Sequence, residues 1–133
     1  TITSYSNDRV TTLGRNSFQY CASLTEVEFA SVTSIGIYAL ANCSKLAKAK
    51  FPVAESIGNY AFNSCDSLDA LILGANKVVA LSNTNAITTS GISVKDGHIY
   101  VPSHLVESYK VANNWSNFAD KFRAIEDYPD ICG

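Results

Sequence analysis

Residues 30–51, ASVTSIGIYALANCSKLAKAKF, and residues 52–73, PVAESIGNYAFNSCDSLDALIL, are two copies of one 22-residue unit, and residues 8–29, DRVTTLGRNSFQYCASLTEVEF, are a third. The three align without a gap. Matched positions are Leu13, Ile35 and Ile57; Gly14, Gly36 and Gly58; Phe18, Leu40 and Phe62; Cys21, Cys43 and Cys65; and Leu24, Leu46 and Leu68. A fixed period of this length dictates a stack of coils, each of which hides its apolar face only against its neighbours. The chain therefore reads as one domain over residues 1–133. It has regular coils at 8–29, 30–51 and 52–73, an irregular fourth coil at 74–98, and a C-terminal strand and helical cap at 99–133.

Each unit closes with Leu-x-x-apolar-x-apolar, the last pair being Val27 and Phe29, Ala49 and Phe51, or Leu71 and Leu73. Spacing by two puts such a pair on one face of a short strand and turns its neighbours outward. Stacked units lay these strands side by side about 4.8 Å apart in a parallel sheet. The outward columns are then Glu26-Lys48-Ala70 and Glu28-Lys50-Ile72, shifting from charged to apolar toward the C-terminal end. The Ile-Gly-x-x-Ala-Phe-x-x-Cys half returns on the other side as short helical or irregular turns. Its glycine opens the bend, through positive φ or through close approach of backbone. The fold class is an α/β repeat solenoid of the right-handed leucine-rich-repeat kind.

Past Leu73 the rhythm loosens. Val79 falls one period after Ile57, whereas Asn83-Thr84-Asn85-Ala86-Ile87 resembles Gly58-Asn59-Tyr60-Ala61-Phe62 at an offset of 25. A polar stretch from Thr88 to Gly97 leads to a final strand, Ile99-Tyr100-Val101, stopped by Pro102. Ser103 is the expected N-cap of a helix bearing Leu105, Val106, Tyr109 and Ala112, and Ser116 that of a second bearing Phe118, Ala119 and Phe122. Repeat stacks need such atypical ends to cover the last strand edge and core, and Trp115 belongs to that packing. The N-terminus shows no comparable cap. Cys132, one residue from the end, is expected to be free or lost in a frayed tail rather than catalytic.

The units Ser34-Ile35-Gly36 through Leu46 and Ser56-Ile57-Gly58 through Leu68 resemble the BspA-like leucine-rich repeats, whose signature is Ser-Ile-Gly-x-x-Ala-Phe-x-x-Cys-x-x-Leu. The closing Ile99-Tyr100-Val101-Pro102, with Tyr109-Lys110 and Asn114-Trp115, resembles the usual end of such arrays. Leu40 in place of the Phe, and Arg15-Asn16-Ser17 in place of small or aromatic residues, are departures that leave the fold intact. Proteins of this family occur on surfaces of gut and oral bacteria, in some parasitic protists, and in phage tail-associated proteins. The resemblance implies adhesion or receptor binding, and it brings no catalytic residues and no shared ligand.

Composition agrees with a packed, charge-balanced domain. Hydrophobic residues make up 47%, enough for a core, while ten basic against twelve acidic residues leave no basic stripe for nucleic acid. No apolar run reaches the ~20 residues of a membrane helix, so membrane insertion is not expected. Thr1-Ile2-Thr3-Ser4 lacks the features of a signal peptide, and the chain has no Met, which reads as a processed or excised piece of a longer protein.

No constellation calls for catalysis, a metal or a cofactor. Cys21, Cys43 and Cys65 form a column whose spacing is compatible with a disulfide, yet three in a row leave one over, and a buried thiol column is the simpler reading. A straight column cannot make the tetrahedron zinc needs. His98 and His104 flank the last strand and read as a solvent-facing pair. Glu26 beside Lys48 and Glu28 beside Lys50 read as cross-strand ion pairs that help fix register.

What remains is surface. The candidate binding residues are Glu26, Glu28, Lys48, Lys50, Ala70 and Ile72 on the strand face, with Tyr38 and Tyr60 at matching positions on the return side and Tyr20 nearby. The expected function is a non-enzymatic module that binds a protein or surface glycan, from an extracellular, cell-surface or virion protein. The alternative is a structural spacer or homo-oligomerisation element. On this reading Ile72→Glu impairs binding and leaves thermal stability nearly unchanged.

Overall fold

The computed structural model describes residues 3–133. The closing strands of the coils build a six-stranded parallel sheet in the order β1 (Ser4–Ser6), β3 (Glu26–Glu28), β5 (Lys48–Phe51), β7 (Ala70–Leu73), β9 (His98–Val101) and β10 (Phe122–Ala124). Its register repeats the sequence period, with Ser4 opposite Glu26, Glu26 opposite Lys48 and Lys48 opposite Ala70. The chain is thus a leucine-rich-repeat α/β solenoid. Alternation within strands does the sorting, so that Val27, Ala49, Leu71 and Ile99 point into the core while their neighbours face out.

A second, four-stranded parallel sheet was not legible in the repeat: β2 (Thr12–Leu13), β4 (Ser34–Ile35), β6 (Ser56–Ile57) and β8 (Ala80–Leu81). The core lies between the two sheets. Leu13, Ile35, Ile57 and Leu81 fill it from this side, and Phe29 and Phe51 stack at 5.6 Å along its length. Leu81, not Val79, stands opposite Ile57, because the irregular coil is two residues longer there than the regular period.

The return half is irregular rather than helical. Asn16, Phe18 and Tyr20 donate their N–H groups to Ile37, Ala39 and Ala41 of the next coil, whereas Ser17 and Cys21 donate back three residues to Gly14 and Phe18. This alternation requires left-handed residues twice per coil, at Asn16, Tyr38 and Tyr60 and again at Tyr20, Asn42 and Ser64. Asn accepts that conformation readily, while Tyr adopts it at a cost of roughly 1–2 kcal/mol. The glycines at the matched repeat position have no positive φ. They serve close approach: a Cβ on Gly36 would lie 2.6 Å from the Leu13 carbonyl oxygen, and one on Gly58 would lie 2.9 Å from the Gly36 carbonyl carbon.

The cysteine column is free and buried beyond its half-buried first member. Cys43 Sγ donates to the Phe18 carbonyl at 3.1 Å and Cys65 Sγ to that of Leu40 at 3.0 Å, so each thiol ties its coil to the preceding one. Burial pushes the Cys43 thiol up to about 11 and that of Cys65 to about 12. Both remain inert thiols at neutral pH.

At the C-terminal end, side chains finish what strands begin. Trp115 Nε1 donates to the Val79 carbonyl at 2.6 Å, the Tyr109 hydroxyl accepts from Val79 N at 3.0 Å, and Asn114 Nδ2 donates to the Leu81 carbonyl at 2.7 Å. These bonds take up outward backbone groups of Val79 and Leu81 along the β8 edge of the smaller sheet. Three local expectations change here. Ser103 does not cap a helix: its N–H and hydroxyl both bond Glu126, at 2.9 and 3.0 Å. Ser116 lies inside a 3-10 segment, Trp115–Lys121, and Phe122 belongs not to a helix but to β10, which adds to the sheet beside β9. Cys132 is not frayed, for it is only 5% exposed.

Candidate functional site

The outward face of the six-stranded sheet divides into two unlike halves. Over β1, β3 and β5 it is polar: Ser4, Ser6, Glu26, Glu28, Lys48 and Lys50 line an open hollow of about 220 Å³. The parallel ladder holds Glu26 opposite Lys48 and Glu28 opposite Lys50, as the period requires. The expected ion pairs do not form. Among the described residues salt bridges join Lys77 to Glu55 and Lys110 to Glu107, each at 3.2 Å, and none joins these four side chains to one another. Register is set by the backbone ladder and the core, not by ion pairs among these four side chains.

Over β7 and β9 the face is apolar and covered. Ala70 and Ile72, read from the sequence as exposed, are 4% and 1% accessible, packed with Tyr100 and Cys132. The covering is the chain's own last segment, in which Ile125, Tyr128 and Ile131 lie against the cluster and Tyr128 meets Tyr100 edge-on at 5.3 Å. Ile72→Glu therefore cannot leave the fold untouched, as it would set a carboxylate into an apolar contact. The sequence signal for this cover was present in the apolar spacing 125, 128, 131, but only the fold shows which surface it meets.

Lys50 lies at the boundary between the halves. Its Nζ donates to the Gly133 carbonyl oxygen at 3.3 Å, and beside it a hollow of about 260 Å³ is lined by Pro52, Ile72, Gly74, Ile125 and Cys132. Burial raises the Cys132 thiol, and Lys48 and Lys50 pull the other way. Glu126 is held below the usual carboxylate range by its own backbone N–H and by the bonds from Ser103.

The return-side tyrosines form a different feature. Tyr38 and Tyr60 stack at 5.1 Å with an interplanar angle of 9°. Their place in the ladder is shared by Asn16 of the first coil, whereas Tyr20, 68% exposed, stands four residues further along its coil. His98 is half-buried with its ring 6.4 Å from Tyr100, and His104 is exposed. Among the described residues no group of three His, Cys, Asp or Glu side chains is gathered as a metal site would be. Among the described residues no helix is long and apolar enough to cross a membrane.

Comparison with protein families gives a match to the BspA type leucine rich repeat region, in six copies across residues 2–105. The match takes in the regular coils and the irregular one and ends at the start of the cap. Comparison with curated proteins gives no match.

Proposed function

Because the chain belongs to the BspA-type leucine-rich-repeat family, we propose that it is a recognition module of a surface-exposed protein, without chemistry of its own, that binds a protein partner through the polar half of its strand face. One observation carries this reading: Glu26, Glu28, Lys48 and Lys50 stand in two rows on a rigid sheet, fixed in register and not paired with each other. Charges so placed orient a complementary surface and speed its encounter. A glycan partner is the alternative outcome, with the Tyr38–Tyr60 stack as its contact. The test compares the parent with Glu26→Lys/Glu28→Lys and Lys48→Glu/Lys50→Glu in cell-binding assays and on a glycan array. Loss of cell binding in the charge reversals, at unchanged melting temperature, is expected. Binding that survives both reversals and falls with Tyr60→Ala overturns the strand-face reading.

A second reading, an assembly element, is favoured by the N-terminal end. Among the described residues β1 is the edge strand of its sheet, and Tyr5, Val10 and Phe18 are only partly buried. Open edges template pairing with another chain. Light scattering across a concentration series, with and without Tyr5→Lys, decides between a monomeric binder and an edge-paired oligomer.

A further inference from the structure

The cover over the apolar half of the strand face differs in kind from the rest of the cap. Up to Ala124 the chain is held by the ladder of β10 on β9. Beyond it, the loop and turn backbone bonds of the last segment are internal: Tyr128 to Ile125, Ile131 and Cys132 to Tyr128, and Gly133 to Pro129. Its links to the body are side-chain contacts: the Ile125, Tyr128, Ile131 and Cys132 packing, the Ser103–Glu126 bonds and the Lys50–Gly133 bond. Such a segment detaches without breaking one strand pairing, which places it at the low end of local opening free energies.

Its chemistry matches what lies beneath it. Residues 125–133 read Ile-Glu-Asp-Tyr-Pro-Asp-Ile-Cys-Gly, with three acids and no base, and they lie on an apolar floor of Ala70, Ile72 and Tyr100 bordered by Lys48 and Lys50. We propose that the apolar half of the strand face, with Lys48 and Lys50, is a peptide-binding site occupied in cis by residues 125–133, and that it takes in trans an acidic segment bearing spaced aliphatic and aromatic side chains. The strap sets the apparent affinity, because a partner binds only the fraction of molecules in which the site is vacant. This rests on the strand face being the recognition surface, and it adds an apolar, regulated half to the charged one.

The chain carries its own reporter. Cys132 is buried only while the strap lies on Ala70, Ile72 and Tyr100, whereas Cys43 and Cys65 are buried by the coils themselves. Full-length protein is treated with iodoacetamide at pH 8 and the adducts at each cysteine are followed by mass spectrometry. Labelling is repeated with a synthetic peptide of residues 125–133 carrying Cys132→Ser, and with a scrambled peptide of the same composition. Cys132 is expected to label at least about tenfold faster than Cys43 and Cys65, which corresponds to ~1.4 kcal/mol or more between local and global opening. The native-sequence peptide accelerates Cys132 labelling saturably, the scrambled one does not, and Lys48→Glu/Lys50→Glu abolishes the acceleration. Cys132 labelling only in step with Cys43 and Cys65 overturns the strap. Opening without a peptide effect overturns the peptide site. Both results are read without the cell-surface partner of the charge-reversal test, from the protein and peptides of its own composition, so they are distinguishable from a failure of that test.

Discussion

Gly36→Ala and Gly14→Ala make the same chemical change at the same repeat position, yet the solenoid predicts opposite outcomes. At Gly36 the new Cβ would meet the Leu13–Arg15 backbone of the preceding coil, with Leu13 O at 2.6 Å, Gly14 C at 3.0 Å and Arg15 N at 3.1 Å. None of these atoms can rotate away. Relief requires the two coils to separate, and that stretches the 2.8 Å bond from Gly36 N to the Leu13 carbonyl. Overpacking of this kind costs about 1–3 kcal/mol. Alanine also restricts the unfolded chain, which stabilises by about 0.4–1 kcal/mol where φ is permitted, as it is here. The net effect at Gly36 is a loss of up to about 2.6 kcal/mol, centred on ~1.3 kcal/mol. At Gly14 nothing lies within 4 Å, because no described coil stacks on that side. Only the unfolded-state gain of about 0.4–1 kcal/mol remains there. The two variants should therefore lie on opposite sides of the parent in urea melts, with midpoints read by far-ultraviolet circular dichroism. Fluorescence of Trp115, buried in the cap, gives an independent probe of whether the stack unfolds as one unit. Equal destabilisation by the two substitutions would refute coil-to-coil contact as the reason for the glycine.

Leu46→Ala, at a position fully buried between the sheets, is expected to lower stability by about 2–5 kcal/mol through the cavity left in the core; a near-neutral result in the same melts would contradict its inward placement. Ile72→Glu is expected to expel the strap, accelerating Cys132 alkylation about tenfold or more while Cys43 and Cys65 remain protected; unchanged Cys132 labelling would contradict the packing described. Stability should also fall at alkaline pH. The unfolded Cys43 and Cys65 thiols ionise near 9.0 while the folded ones hold their protons to about 11 and 12, so the folded state binds more protons in that window. Their contribution is complete below pH 9.0 and is lost as pH rises toward 12. Burial raises Tyr109 too, so it adds to the slope, and the double variant Cys43→Ala/Cys65→Ala should flatten the urea midpoint against pH without abolishing its fall. A slope unchanged in that variant would remove the thiols from the explanation.

Periodic features were legible in the sequence because each coil makes the same contacts as the next. The inward Leu, Phe and Cys positions, the stacking of the cysteines in a column, and the register of Glu26 with Lys48 all follow from one 22-residue rule. The second sheet was missed because each of its strands is two residues long, too short for alternation to show. The left-handed tyrosines were missed because Tyr is not a residue that announces positive φ.

What only the tertiary structure decided is where non-repeating residues meet repeating ones. Sequence placed Ala70 and Ile72 outward, and they do point outward. It could not show that Ile125, Tyr128 and Ile131 return over fifty residues later to cover them. Nor could it show that Trp115 and Tyr109 would finish the backbone of Val79, or that Lys48 and Lys50 would stand beside Glu26 and Glu28 without closing an ion pair. Neighbour contacts in a solenoid are set by the period, and the period is written in the chain. Contacts made by a unique segment depend on where the fold carries it, and no local pattern records that destination.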